Sequence, residues 1–349
     1  MKIASNDIVS NLINWYTVWK DAQNFEKNSN NPPIMVNDSL GHPCFHYKDI
    51  DSINQCNDSI VVIDCLTEGL HSKDSFDQYR KDHHYIIFSN GDWNIDRWDL
   101  KISYTLIWYP YFLFDMVDTY NTPARFSYHL NKEYIYDYPK PLSFSCIIGN
   151  VRSERDLLVE KILSNFDSNR FILRYSGKDF GVPSDKFDLI NFAPGEFDPF
   201  IKLSEKYYYI VMNTMPVKLY NQSYFNLIVE TDVNFPDSFF LTEKTIKFLI
   251  SGQPFVVVSN PDHLKNLKEI GFKTFDHLWD ESYDSIQDFN SRVDAIIKLC
   301  EHLSTDFDWQ SNRNQLEEIK KHNRFVFQNL NVFIDRCFCN IEKKLQGFN

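Results

Sequence analysis

Between residues 143 and 275 the chain alternates short runs of β-branched and aromatic residues with segments of helical periodicity. Residues 143–148, 171–175, 207–211, 225–229 and 255–258 are apolar runs of strand length, without polar alternation. Such runs are strands buried on both faces. Helical segments separate them. One covers 153–166, with Leu157, Leu158, Ile162 and Leu163 on one side; another opens at Glu243; a third spans 262–270 and stops at Gly271. Strand–helix alternation requires crossover connections, which place a parallel sheet between layers of helices. Ligands of such sheets bind outside the carboxyl ends of the strands. Here those ends lead into the loop after Ile148, into Ser176-Gly177 and into the loop from Glu230 to Thr242.

The first part of the chain repeats the pattern less regularly. An amphipathic helix with Trp15 and Trp19 is expected over 6–25, broken by a polar stretch and Pro32-Pro33. Strands are expected at 59–65, 84–88 and 104–109, with a helix over 74–82. The segment 134–141 contains Pro139 and Pro141 and reads as a linker. The tail from Trp309 to about Leu345 reads as one or two long helices with a charged face of Glu317, Glu318, Lys320 and Lys321. These boundaries divide the 349 residues into 1–140, 141–305 and a helical segment, 306–349.

The strongest local signal precedes the strand at 255–258. Thr242 is a natural N-cap, Glu243 and Lys244 occupy the first turn, and Ile246, Leu249 and Ile250 follow at helical spacing. Gly252-Gln-Pro254 ends the helix. Free N–H groups at a helix N-terminus suit a phosphate, and Lys244 adds a full positive charge. Glu243 only accepts hydrogen bonds when ionised, so it suits sugar or ribose hydroxyls and repels phosphate. Together they describe a sugar-nucleotide site. The competing reading is a solvated Glu-Lys pair, since acidic residues are favoured in a first turn anyway.

Two quoted segments carry a family likeness. Asn226-Leu-Ile-Val-Glu-Thr231 is followed by Phe240-Leu-Thr-Glu-Lys244, and Ile147-Ile-Gly-Asn-Val-Arg-Ser-Glu-Arg-Asp-Leu-Leu158 lies upstream. The region 143–275 resembles the α1,3-fucosyltransferase family, inverting glycosyltransferases of the GT-B type. Members carry a strand ending in Phe-Glu-Asn, a variable loop, then Tyr-Val-Thr-Glu-Lys opening a helix. The resemblance implies an α/β fold with two Rossmann-like domains facing each other across a cleft, the C-terminal helices packing back. It implies that Arg155 and Lys244 bind the donor pyrophosphate, with Arg152 as a nearby substitute, and that Glu243 contacts donor hydroxyls. Asn150, Gly177 and Glu230, in the strand-end loops, complete the expected donor-binding set. Asp92, in Ser89-Asn-Gly-Asp92, falls where the family has a general-base Glu, although an ordinary turn accounts for that sequence too. This chain has Phe240 for the family Tyr, Thr231 for the family Asn, and a longer interval from Glu230 to Glu243. Those departures bear on the sugar and the nucleotide more than on the reaction class.

The implied donor is a nucleoside-diphosphate sugar, a GDP-sugar first and a UDP-sugar next. The implied acceptor is a glycan hydroxyl, attacked with inversion. No tightly bound cofactor is implied, and no motif calls for a divalent metal. The Asp-x-Asp spacings at 49–51 and 306–308 read as solvated loop carboxylates, and His83-His84 lack partners at zinc-site spacing. No dinucleotide, Walker or Gly-x-Ser-x-Gly motif occurs. A net charge of −12 argues against a phosphate-tracking surface, and so against nucleic acid as partner. The competing functions are a glycosyltransferase acting on modified nucleic-acid bases, a non-catalytic sugar-nucleotide or carbohydrate-binding protein, and a protein scaffold. The 30 Phe, 19 Tyr and 7 Trp residues suit carbohydrate stacking, but core packing is their ordinary role. No apolar run is long enough for a membrane span. Seven cysteines without a Cys-x-x-Cys pair, and no signal-peptide pattern, lead to the expectation of a reduced, cytoplasmic protein.

Overall fold

Unbroken apolar runs settle the core of each half. The computed structural model describes residues 36–37, 43–46, 50–57, 59–65, 74–93, 95, 98–113, 134–149, 151–183, 220–235 and 238–345. The chain divides into two units: Met1–Tyr111 with Asn331–Asn349, and Phe112–Leu330. Both are mixed α/β with mainly parallel sheets. The helix expected over 6–25 and the strand expected at 207–211 lie outside the described residues.

In the first unit, β1 (Val36–Asn37), β2 (Pro43–His46), β3 (Ile60–Cys65), β4 (His84–Ser89) and β5 (Ser103–Trp108) form one sheet in that spatial order. β1 is antiparallel to β2, and the remaining pairs are parallel. Val61, Val62 and Ile63 of β3 and Tyr85, Ile86 and Ile87 of β4 are buried, as unbroken apolar runs demand. α1 (Ile50–Gln55) precedes β3 and α2 (Asp74–Asp77) precedes β4. The helix expected over 74–82 stops at Asp77. Beyond it, Arg80 is tied to α1: its amide donates to Asn54 Oδ1 at 3.2 Å and its guanidinium to Cys56 O at 3.1 Å. His84 bonds across the sheet to Ser103 Oγ at 2.6 Å and Thr105 Oγ1 at 3.0 Å, so its ring serves strand pairing.

In the second unit the strands are β6 (Leu142–Ile148), β7 (Phe171–Tyr175), β8 (Lys178–Gly181), β9 (Ser223–Val229) and β10 (Phe255–Val258). Their order across the sheet is β10-β9-β6-β7-β8. All pairs are parallel except the β7–β8 hairpin. The order reverses at β6: β7 lies on one side of it and β9 on the other. The carboxyl ends of β6 and β9 at that reversal are the place where such sheets take ligands. Toward the middle and amino ends of these strands a buried polar seam fixes the register, with Asn226 Nδ2 donating to Ser145 Oγ at 2.8 Å and Gln253 Nε2 to Ser223 Oγ at 3.0 Å.

The helices of this unit are α3 (Ser153–Asn165), α4 (Glu243–Ser251), α5 (His263–Ile270), α6 (Phe289–Thr305) and α7 (Arg313–Gln328). α6 was not anticipated, although Val293, Ile296, Ile297, Cys300 and Leu303 have helical spacing and are all buried. Buried Arg292 ties α6 to the loop after β9, its guanidinium donating to Val233 O at 2.6 Å and Gln287 O at 3.1 Å. The segment expected as a linker lies inside this unit. The Tyr134 hydroxyl donates to Ser223 O at 2.8 Å and the Tyr136 hydroxyl to Leu316 O at 3.1 Å, with both rings buried. The last helix, α8 (Asn331–Leu345), belongs to the first unit. Lys344 Nζ donates to Leu106 O of β5 at 2.7 Å, and Phe333 meets Trp108 edge-on at 5.9 Å between centroids.

Gly252 closes α4 in the left-handed region, φ 79°, its amide donating to Phe248 O at 2.9 Å. A β-carbon there would lie 2.2 Å from Lys320 Cγ. Gly252→Ala should therefore lower the unfolding free energy by about 1–2 kcal/mol in urea denaturation. An unchanged midpoint would show that this turn carries no such constraint.

Candidate functional site

A carboxylate leaving water must find donors or give up its charge. Glu230, which follows β9, is fully buried. Its oxygens accept from Thr242 Oγ1 at 2.5 Å, Thr245 Oγ1 at 2.6 Å, the Thr242 amide at 3.4 Å and the Thr231 amide at 3.3 Å. Thr242 is the N-cap of α4, accepting from the Lys244 amide at 3.3 Å. The first turn of α4 is thus seated on an internal anion, which complements the helix dipole. Glu230 is committed to this seat, so its carboxylate is not a free contact for a donor.

The cations gather around the next residue. Arg152 Nη1 donates to Thr231 O at 2.7 Å and pairs with Asp232 Oδ1 at 3.3 Å. Arg155 Nη2 donates to Glu230 O at 3.1 Å and Thr231 O at 3.4 Å. Lys244 Nζ donates to Thr231 Oγ1 at 2.9 Å and pairs with Glu243 Oε1 at 3.4 Å. Charge is layered in this cluster. The Arg152 and Lys244 side chains are 35% and 28% exposed, while their partners Asp232 and Glu243 are 0% and 7% exposed. An anion arriving from solvent meets cations first, with the carboxylates behind them. Thr231 and Asp232 were not among the anticipated site residues. Asp232 carried no sequence signal beyond polarity just past a strand end, and Thr231 stood only as the counterpart of the family Asn.

The charges perturb one another. Burial, then the neighbouring Arg152, pulls the Arg155 guanidinium down, against Asp232, Tyr175 and Glu230. Burial pushes the Glu243 carboxyl up, but Lys244 and Lys247 together hold it below its usual value. Lys247, one turn along α4, is pushed down from 10.5 to about 8 by burial, with Glu243 opposing and Lys244 adding.

α3 begins after Arg152, which sits at the N-cap in an extended conformation with no side-chain cap bond. The Tyr175 hydroxyl orders this turn, accepting from the Arg152 amide at 3.3 Å and donating to Asp156 Oδ1 at 2.6 Å. A β-carbon on nearby Gly149 would meet nothing within 4 Å, so the strand end is open there. Gly177 has a different explanation from ligand approach. Ser176 and Gly177 have φ of 48° and 79° and join Tyr175 to Lys178, the left-handed pair that a two-residue hairpin needs. Asn150 lies outside the described residues. Asp92 lies in the first unit, exposed, after a turn in which a β-carbon on Gly91 would lie 2.0 Å from the Trp93 indole nitrogen. Partial burial raises the Asp92 carboxyl, with Lys344 opposing.

Among the described residues no group of three or more His, Cys, Asp or Glu side chains is placed to hold a metal. Asp308 instead caps a turn, accepting from the Ser311 amide at 3.0 Å and hydroxyl at 2.6 Å. No helix among these residues is long and apolar enough to cross a membrane.

No protein-family model matches the chain, and no curated protein matches it significantly. Among solved structures it is similar to one described as the DNA-modifying enzyme β-glucosyltransferase, in the presence and absence of the substrate uridine diphosphoglucose. The identity is 12%, the TM-score 0.35, and the match covers 82% of this chain and 75% of that one. A TM-score that low does not establish a shared fold.

The depressed Lys247 ammonium has a measurable sign. Between about 8 and 10.5 the unfolded chain holds the Lys247 proton and the folded chain does not. Stability contributed by this group therefore rises with pH through that window. Urea denaturation across the window should show a steeper rise for the native protein than for Lys247→Met. Parallel curves would place Lys247 in water.

Proposed function

We propose that the cluster around Thr231 is the donor site of a glycosyltransferase that uses a nucleoside-diphosphate sugar. The layered charge carries this reading: outward cations over buried carboxylates, at the reversal point of a parallel sheet. A departing diphosphate gains negative charge as the glycosidic carbon becomes oxocarbenium-like, and fixed cations stabilise it without reorganising. Arg152 and Arg155 offer planar forks and Lys244 a point charge. Glu243, held ionised, is suited to accept from hydroxyls of the donor.

The anion site in this reading is the set of side chains and not the end of α4, because Glu230 already neutralises that end. The motif resemblance supports a GDP-sugar as first choice, then a UDP-sugar, with a glycan hydroxyl as acceptor. Transfer by a single displacement with inversion needs a base for the acceptor proton. Asp92 is the residue we assign. The motif resemblance places it where the family has its general base.

Calorimetry with GDP and UDP tests the donor site. Lys244→Ala should weaken the preferred diphosphate about tenfold or more. Absence of binding to the unmodified protein would refute the assignment. Asp92→Asn separates the base from the donor site. It should leave diphosphate affinity within about twofold and reduce sugar transfer by roughly a hundredfold or more. Near-normal turnover would remove Asp92 from the mechanism.

A further inference from the structure

A second set of polar groups lies at the end of β10. His263 opens α5 and is 1% exposed, and neither ring nitrogen has a hydrogen-bond partner among the described residues. Ser259, the residue after β10, is 3% exposed, and its hydroxyl is equally unpartnered. A neutral imidazole carries one N–H and one lone pair, and a hydroxyl both donates and accepts. Buried groups of this kind are nearly always paired, so each unpaired one calls for an explanation.

Helix capping does not supply it. The Asp284 carboxylate caps α5, accepting from the Leu264 amide at 2.9 Å and the Lys265 amide at 3.1 Å. The chain enters the helix through Asp262 at φ 62°, a left-handed conformation that is costly outside glycine and collects at functional sites.

The surroundings restrict what fits. Val258 pairs with Val229, and the Glu230 amide donates to Val258 O at 3.0 Å, so Ser259 adjoins Glu230. The Phe239 ring lies 5.3 Å from the His263 ring, tilted by 53°. Burial pulls the imidazole down against Glu230 and Asp284, which leaves it neutral. Those two carboxylates disfavour an anion. A metal is disfavoured because no cluster of ligating side chains exists among the described residues. What remains is a neutral molecule with several hydroxyls and an apolar face to lay against a ring.

We propose that Ser259 and His263 read the hydroxyls of the donor's sugar, beside the diphosphate site and separated from it by Glu230. This rests on the donor-site reading above. Neither group is open to solvent in the free protein, so the sugar must displace the side chains that cover them. Sugar nucleotides should therefore associate more slowly than bare diphosphates.

The test compares UDP-glucose with UDP, and GDP-fucose with GDP, by calorimetry. The unmodified protein should bind one sugar nucleotide about tenfold more tightly than its diphosphate. His263→Phe and Ser259→Ala should keep diphosphate affinity within about twofold and lose that increment. An increment that survives both substitutions would overturn the proposal, as expected if buried water satisfies these groups. Equal loss for both ligands would also overturn it. The imidazole resonances of His263 in the unmodified protein give a reading free of any folding defect. They should shift with the sugar nucleotide and stay in place with the diphosphate; no difference would count against the subsite. Failure of both diphosphates to bind would instead remove the donor site itself.

Discussion

The second unit is organised around one buried negative charge. Glu230 leaves the interior strand β9 and anchors the first turn of α4 through two threonine hydroxyls and a backbone amide. Without that carboxylate, Thr242 and Thr245 would hold buried hydroxyls with no acceptor, and the N-cap would lose its fixed position. Lys244 projects from the same turn, so its reach toward Thr231 depends on the anchor. Removing one partner from a buried charged network costs far more than its net contribution, because the groups left behind remain desolvated.

The same charge changes how the helix end can be used. From the residue types alone, Thr242, Glu243 and Lys244 suggest a helix N-terminus open to phosphate. The structure supplies that terminus with an internal anion. In the proposed site, an external anion would be attracted first by the partly exposed Arg152 and Lys244, with buried Arg155 behind them; all three converge on Thr231 from the start of α3 and from α4. Asp232 and Glu243 hold two of these cations from behind. Such an arrangement orders long, flexible side chains before a ligand arrives, so less side-chain entropy is lost on binding.

Local signals were legible where they were self-contained. The strands at 143–148, 171–175, 225–229 and 255–258 follow from unbroken apolar runs, and α4 follows from Thr242 at one end and Gly252 at the other. The misreadings arise where the pairing partner of a segment had to be known. Ser176-Gly177 looked like a strand-end ligand loop, because the short β8 that makes it a hairpin has the polar sequence Lys-Asp-Phe-Gly. The helix over 74–82 stops early because α1 claims Arg80. Glu230 was expected as a donor contact. Only the placement of Thr242 and Thr245, 12 and 15 residues on, shows which hydrogen bonds it makes. Thr231 stood in the sequence only as the counterpart of the family Asn; that three cations from other segments meet there needed the structure.

Glu230 also separates two chemistries that would otherwise interfere. On the β6 side its backbone carbonyl accepts from buried Arg155, behind the partly exposed Arg152 and Lys244. On the β10 side it adjoins Ser259 and acts electrostatically on His263, which burial keeps neutral. A diphosphate drawn to the first side is opposed on the second by the Glu230 and Asp284 carboxylates. A neutral polyol meets no such opposition, and it would gain hydrogen bonds from Ser259 and His263. An activated sugar carries both kinds of group on one molecule, charged at one end and hydroxylated at the other. In the proposed sites, a carboxylate buried between the two sides would give such a ligand a single favourable orientation, because reversing it would bring the diphosphate toward buried negative charge.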